Sequence, residues 1–194
     1  MIYKDIICGK CLPTEFDING NELRARLGNS IDYPQINDLI SEYNASASYK
    51  YAYIEIPVKV DDEFVEFDFA KVKSHSLARV LANCKSVIVI ALTAGMKVDR
   101  LISRKHYSSK AEAFVLDGIA SAGVESFADY VTNIVCKNRN VTNRFSPGYA
   151  DFSIEIQKSL LSRLDAQTTL GIVLSKDLLM IPIKSITAII GIKD

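Results

Sequence analysis

One long helical segment constrains the fold of this chain more than any other feature. Residues 108–135 contain no proline, and apolar side chains recur along them at the spacing of a helix face. These apolar positions include Phe114, Ile119, Phe127, Val131 and Ile134. We therefore predict a central helix that packs against a sheet.

The sequence also contains several strand patterns. Residues 87–92 are all apolar, which predicts a strand buried on both faces. Residues 49–59 alternate with a period of two and turn at residues 61–63 into residues 64–69, which predicts a β-hairpin. Residues 178–182 and 185–192 predict two further strands, separated at a proline.

Shorter helices are predicted between these strands. A helix that includes residues 23–27 is expected to stop at Gly28, Ser76 is expected to cap residues 77–82, and residues 154–164 form another helical segment. Helices and strands follow one another in mixed order rather than in strict alternation. The predicted fold is therefore of the α+β class, with a largely antiparallel twisted sheet packed by helices.

The length of 194 residues fits one hydrophobic core, and no linker or internal repeat divides the chain. We predict a single domain over residues 1–194. Within it, residues 1–73 form a helical lead-in and the β-hairpin, and residues 74–194 form the core.

Charge and hydropathy exclude several kinds of partner. Lys and Arg total 23, and so do Asp and Glu, so no net charge attracts nucleic acid or an anionic membrane. The apolar run at residues 86–92 is too short to span a bilayer, and residues 1–20 lack a signal-peptide pattern. We expect a cytoplasmic protein with neither a nucleic-acid nor a membrane partner.

Cys8 and Cys11 have the spacing of redox pairs and of half a zinc site. Zinc would need two more ligands, and the remaining cysteines and histidines form no paired motif. We expect a structural or incidental role for this pair, with redox or metal chemistry as the alternative. His75 and His106 are expected at the surface. No nucleophile with a base, Walker loop or Gly-x-Gly-x-x-Gly is found, so we predict neither a catalytic residue nor a metal site.

Four ordered segments resemble the activation domain of cobalamin-dependent methionine synthase. Arg144-Phe145-Ser146-Pro147-Gly148-Tyr149 resembles the family's Arg-x-x-Pro-Gly-Tyr signature. Residues 116–130 resemble its long helix, with the acidic residue at Glu125, residues 91–99 its strand-to-helix turn, and residues 174–191 its closing strands. The resemblance runs from about Ser74 to the C-terminus, whereas residues 1–73 match loosely.

The signature residues have properties that suit S-adenosylmethionine, which carries a carboxylate, an amino group, an adenine and a sulfonium. Arg144 can grip a carboxylate in a bidentate manner. Gly148 allows close approach to its backbone, and Pro147 stiffens the turn while leaving neighbouring amide and carbonyl groups free. Tyr149 offers a ring and a hydroxyl, and Glu125 can answer the positive groups of the ligand.

The resemblance implies a binding site for S-adenosylmethionine at Glu125, Arg144, Ser146, Gly148 and Tyr149. Cobalamin would come from a partner, because the Asp-x-His-x-x-Gly segment of corrinoid carriers is missing. The implied partners are a corrinoid-binding methionine synthase or related methyltransferase and a flavodoxin-like or other low-potential electron donor. The chain would support reductive methylation of cobalamin on the partner, and the isolated chain would have no catalytic turnover of its own.

Two departures and three alternatives accompany this interpretation. Residues 150–153 replace a Cys-Pro pair of the family, and Ile189-Ile190 replaces aromatic residues.

An Arg before Pro-Gly is often only a surface turn, and Glu125 could be a solvated side chain. A second alternative is a scaffold that docks to a corrinoid protein without S-adenosylmethionine. An unrelated small-molecule methyltransferase is disfavoured because the Gly-rich loop is missing.

Overall fold

The computed structural model describes residues 5–193. Its strands are β1 (Ile7–Cys11), β2 (Tyr49–Pro57), β3 (Lys59–Val60), β4 (Phe64–Glu66), β5 (Lys71–Lys73), β6 (Ser86–Thr93), β7 (Val173–Leu174), β8 (Met180–Ile181) and β9 (Ser185–Ile192). Its α-helices are α1 (Gly20–Leu27), α2 (Ile36–Ser46), α3 (His75–Leu81), α4 (Met96–Ser108), α5 (Lys110–Val135), α6 (Gln157–Arg163) and α7 (Ala166–Leu170). Short 3-10 turns cover Gly28–Asp32 and Ile154–Ile156.

The main sheet has the strand order β1-β2-β6-β9, and every pair in it is antiparallel. β6 lies in the interior of this sheet and is buried on both faces, because its apolar residues alternate between two cores. Strands β3 to β5 form a second, three-stranded antiparallel sheet, and β7 pairs with β8. The predicted α+β class with a largely antiparallel sheet is confirmed.

Helices cover both faces of the main sheet. One face packs against α1, α2, α4 and α5 in a core that contains Ile88, Ile90 and Leu92 of β6. The opposite face packs against α3, α6, α7 and the small sheet, around Val87, Val89 and Ala91. The alternation of β6 therefore builds the two cores from one strand.

The long helix of the sequence is α5, which begins two residues later than predicted. Ser109 caps it, because its side chain accepts a hydrogen bond from the Glu112 amide at 3.3 Å. Ile119, Phe127 and Val131 are buried as expected from the helical pattern. Phe114 and Ile134 are 58% and 46% exposed, so these two apolar positions lie away from the core.

Three local features differ from the sequence patterns. The first fifty residues contain helices α1 and α2 but also β1, which is an edge strand of the main sheet. The hairpin is shorter than predicted: Lys59–Val60 pairs with Phe64–Glu66, while β2 pairs with β1 and β6. Ser74, not Ser76, caps α3 and accepts a hydrogen bond from the Leu77 amide.

No helix within residues 5–193 is both long and apolar enough to cross a bilayer.

Candidate functional site

A polar stripe runs along α5. Asp117, Ser121, Glu125 and Asp129 recur every fourth residue, so they share one face of the helix. Cationic side chains from three other parts of the chain meet this stripe. We call these four residues the α5 stripe.

Arg144 reaches the α5 stripe from an extended segment beside β9. Phe145 exchanges two backbone hydrogen bonds with Ile189, both at 2.9 Å, and Val141 forms a bridge with Ile192. Successive side chains of an extended segment point to opposite sides. Phe145 accordingly packs against the core around α6 and α7, whereas Arg144 contacts α5.

The guanidinium of Arg144 is held by three side chains of α5. Nη1 donates to Oδ1 of Asp129 at 2.7 Å and to Oγ1 of Thr132 at 3.3 Å. Nη2 donates to Oε2 of Glu125 at 3.2 Å. The Arg144 side chain is only 18% exposed, so these charge-assisted bonds are partly shielded from water. The structure thus brings Glu125 and Arg144 together; that they bind a ligand stays a prediction.

Helix α1 adds a cation that the sequence patterns did not identify. Nη2 of Arg26 lies 3.7 Å from Oε1 of Glu125, and Nε of Arg26 lies 3.6 Å from Glu22. Glu125 is therefore shared by guanidinium groups from two sides. Helix α1 can approach α5 this closely because Gly118 leaves room for the Leu27 side chain.

Lys184 meets the other end of the α5 stripe. Its Nζ lies 2.8 Å from Asp117 and donates to Ser121 at 2.9 Å. The Lys184 side chain is 9% exposed, so it is more deeply buried than the Arg144 side chain, which is 18% exposed. The loop that carries it is also fixed by Asp99, which accepts a hydrogen bond from the Ile183 amide at 2.7 Å.

The turn at residues 146–149 is closed by its own backbone. Gly148 has a φ of +86°, a conformation that favours glycine, and its amide donates to the Phe152 carbonyl at 2.8 Å. The Tyr149 amide donates to the Ser146 carbonyl at 3.2 Å. The expectation that Pro147 leaves the neighbouring amides free is therefore wrong for these two. Both N–H groups are used within residues 146–152, while Tyr149 is 69% exposed and its ring lies beside Phe145.

Asp151 anchors this turn to α3. Its carboxylate accepts hydrogen bonds from the Ser74 hydroxyl at 2.6 Å, the His75 amide at 2.8 Å and the Ser76 amide at 3.2 Å. The hydrogen bond from Ser74 and those from Ser76 and His75 lower the pKa of Asp151 to about 2. This contact lies in the segment that departs from the family pattern, so residue 151 here has a structural task.

The second departure lies in the core. Ile189 and Ile190 are fully buried on opposite faces of the main sheet. Both side chains pack inside the two cores, so neither is exposed at the surface where a ligand could contact it.

A cleft of about 670 Å³ opens beside Arg144. Its walls come from α5, from the segment 141–144 and from the residue before α1, and they are mostly polar: Asn19, Asp129, Thr132, Asn133, Val141, Thr142, Asn143 and Arg144. Such a lining suits a ligand with several hydrogen-bonding groups. Of the predicted site residues, only Arg144 lines this cleft; Glu125 lies next to it through the ion pair.

Cys8 and Cys11 are not placed to act as a pair. Cys8 lies opposite Ala52 in β1 and Cys11 opposite Tyr49, and these partners belong to different cores. Three residues of strand span about 10 Å, which exceeds the separation of about 7 Å that a disulfide allows. Burial, and then the nearby carboxylates of Asp165 and Glu15 respectively, raises the pKa of both thiols, whereas redox-active thiols have lowered pKa values.

The histidines are at the surface, as expected, and His75 lies 3.7 Å from Glu63. Within residues 5–193, no group of three His, Cys, Asp or Glu side chains is arranged to hold a metal ion. The α5 stripe itself offers charge recognition, because its carboxylates face guanidinium and ammonium groups.

The residues missed by sequence reasoning are Asp129, Arg26 and Lys184. Asp129 could have been found, because it follows Glu125 by one helical turn and must share its face. Arg26 and Lys184 carried no such signal. Their proximity to α5 depends on how α1 and the loop before β9 pack in three dimensions.

Comparison with known proteins adds evidence for the fold. No protein-family model matches the sequence, and no curated protein is similar to it in sequence. Among solved structures, the MetH reactivation domain, crystallised bound to AdoHcy, superposes with a TM-score of 0.72 at 12% identity. The match covers 99% of this chain and 79% of that chain. At this identity the likeness shows the fold alone: this chain folds like the MetH reactivation domain.

Proposed function

We propose that this chain is an activation module that binds S-adenosylmethionine at the α5 stripe. The observation that carries the proposal is the ion pair of Glu125 with Arg144, at 3.2 Å. This pair joins the long helix to the segment 144–149, the two segments on which the sequence resemblance mainly rests. The fold supports it, because the similar MetH domain was crystallised with AdoHcy (S-adenosylhomocysteine). In this proposal residues 1–194 act as a single domain, and the protein acts in the cytoplasm.

The ligand would lie between Arg144 and the carboxylates of α5. Its carboxylate pairs with the Arg144 guanidinium, and its ammonium faces Glu125. The cleft beside Arg144 offers amide and hydroxyl groups to the remaining polar atoms. Ser146, Gly148 and Tyr149 lie outside this cleft, in the turn that follows Arg144 in the chain, and we propose that part of the ligand extends to this turn, where Tyr149 is exposed.

The module would act on a cobalamin carried by a corrinoid methionine synthase or related methyltransferase. A cobalamin on the partner, reduced by a flavodoxin-like or other low-potential donor, would supply the nucleophile for the methyl group, and the electron pair of the S–CH3 bond would stay on sulfur. The chain contributes position, because a sulfonium is already activated for methyl transfer. No acid or base from the chain is required.

Isothermal titration calorimetry with S-adenosylmethionine tests the binding step. Arg144→Ala should weaken binding by about 2 to 4 kcal/mol, since it removes a charge-assisted pair. Arg144→Lys should lie between the two, because lysine keeps the charge but not the bidentate fork. Arg163→Ala is the matched control: Arg163 is 21% exposed and pairs with Asp68 at 2.9 Å, on the other side of the main sheet. Equal affinities of Arg144→Ala and wild type would remove Arg144 from the site.

A corrinoid protein from the same cell tests the activating step. In the presence of S-adenosylmethionine and a low-potential reductant, the chain should convert the cob(II)alamin spectrum to that of methylcobalamin. Conversion at the same rate without the chain, or with Arg144→Ala in its place, would contradict the activating role even if the ligand binds.

One observation favours a second candidate, the scaffold that docks without S-adenosylmethionine. The Arg144 guanidinium is already paired with Glu125 and Asp129, so a ligand has to displace part of this pairing. If calorimetry detects no binding to the wild type while the chain still forms a complex with the corrinoid protein, the scaffold function replaces the first proposal.

A further inference from the structure

The carboxylates around Arg144 differ in how many cations they contact. Glu125 lies 3.2 Å from Arg144 and 3.7 Å from Arg26. Within residues 5–193, Asp129 has only Arg144 within ion-pair distance, at 2.7 Å. Asp129 also lines the cleft and has a side chain that is 55% exposed, so a ligand can reach it.

This asymmetry decides which carboxylate is left uncompensated when a ligand binds. A ligand carboxylate that pairs with Arg144 competes with both residues for the same guanidinium. Glu125 keeps Arg26 and gains the ligand's ammonium. Asp129 keeps no cation from the described chain, and its negative charge then lies beside the bound ligand.

S-adenosylmethionine has a second cation, its sulfonium, whereas S-adenosylhomocysteine has a neutral thioether in the same place. The two ligands differ by one methyl group and one positive charge. The charge that distinguishes the methyl donor from its product is therefore the one at sulfur, and a sulfonium that reaches the cleft beside Asp129 would compensate this carboxylate. Two unit charges a few ångströms apart at a solvated surface interact appreciably, and salt weakens that interaction.

We propose that Asp129 makes this site select the sulfonium ligand over its demethylated product. This inference rests on the proposed function. Loss of the methyl group removes the positive charge that Asp129 compensates, so transfer itself weakens the hold on the product. The site would then release S-adenosylhomocysteine and accept a new methyl donor.

Paired titrations of the full chain with both ligands test the assignment. At low salt the wild type should bind S-adenosylmethionine about five- to tenfold more tightly than S-adenosylhomocysteine, and the ratio should fall at about 0.5 M salt. Asp129→Asn should bring the ratio close to one. Asp62→Asn removes the same charge from the exposed turn between β3 and β4, on the other side of the main sheet, and should leave the ratio unchanged.

Each outcome separates the two proposals. Binding of both ligands with equal affinity by the wild type overturns the selectivity and leaves the proposed function standing. A preference that persists unchanged in Asp129→Asn, with an unaltered melting temperature, overturns the role of Asp129. Failure of the wild type to bind either ligand overturns the proposed function and the selectivity together.

Discussion

The two edge strands of the main sheet, β9 and β1, differ in what lies along their outer side. The segment 141–145 lies along the outer side of β9, and it delivers Arg144 to the α5 stripe. β1 has β2 on one side, and within residues 5–193 no strand lies on its other side. All five of its residues are exposed or half-buried, and Lys10 is one of the exposed ones.

The difference shows where a chain of this fold can hold a charged side chain in a fixed position. An extended segment that covers an edge has fixed backbone hydrogen bonds, so a side chain on it holds a defined position. An uncovered edge has no such support, and a charged residue there mainly discourages pairing with other chains. We therefore expect substitutions in β9 to lower the free energy of unfolding more than matched substitutions in β1.

The largest effect is expected from Gly191→Ala in β9. A Cβ at this position would lie 2.6 Å from both Sγ of Cys84 and Cδ2 of Leu81, in a closely packed core. Overpacking of this kind costs about 2 kcal/mol, which corresponds to a fall in melting temperature of about 4 to 8 °C. Gly20→Ala, where the added group meets nothing within 4 Å, is the control for thermal unfolding by circular dichroism.

A smaller and pH-dependent effect is expected from Asp151→Asn, next to the covering segment. The pKa of Asp151 in the folded chain is about 2, below its ordinary value of 3.8. The carboxylate therefore stabilises the fold above about pH 4, and this contribution is lost as the pH falls towards 2. Urea unfolding should show the variant less stable than wild type at pH 6, with the difference gone near pH 2. A difference that is the same at both pH values would contradict this role.

Gly9→Ala in β1 sharpens the comparison, because it repeats the Gly191 substitution at the other edge. The added Cβ would contact the far end of the Tyr51 ring, and because Tyr51 is a half-buried side chain rather than backbone or a fully buried group, we expect it to move aside. We expect a loss below about 1 kcal/mol in the free energy of unfolding. A loss as large as that of Gly191→Ala would break the distinction between the edges.

The smallest effect is expected from the double variant Cys8→Ser, Cys11→Ser. The two side chains lie on opposite faces of an edge strand and are bonded neither to each other nor to a metal cluster in the described chain. Stability should change by less than about 0.5 kcal/mol, and ligand affinity should not change. Stoichiometric zinc in the purified wild type, or a reversible disulfide, would show that this edge has a function of its own.

Patterns that act locally allowed much of the fold to be predicted. The helix α5, the doubly buried strand β6 and the mixed order of elements follow from periodicity and apolar content. β1 was missed because five residues with a central glycine carry no alternating apolar signal; the strand exists through its pairing with β2. The cap of α3 is Ser74 rather than Ser76; the two serines are two residues apart, and the hydrogen bond that the Ser74 hydroxyl donates to Asp151 involves a residue too far along the chain for a local pattern to include.

The candidate site, like the fold, could be predicted only in part. Glu125 and Arg144 came from motifs, and the structure brings them together, whereas the amides of the turn were wrongly expected to be free. Arg26 reaches Glu125 across almost a hundred residues of sequence. Contacts of this range depend on packing, which no local pattern encodes.

The position of β9 in the sheet has a consequence during synthesis on the ribosome. Six of the eight residues of β6 are apolar. One of its two neighbours in the sheet, β9, is made roughly ninety residues later, which at typical elongation rates takes about 5 to 20 seconds. During that interval one edge of β6 is open to any other extended chain. Nascent chains on one messenger are close together, so slow translation between β6 and β9 should favour aggregation, and chaperones that cover extended apolar segments should increase the yield of folded protein.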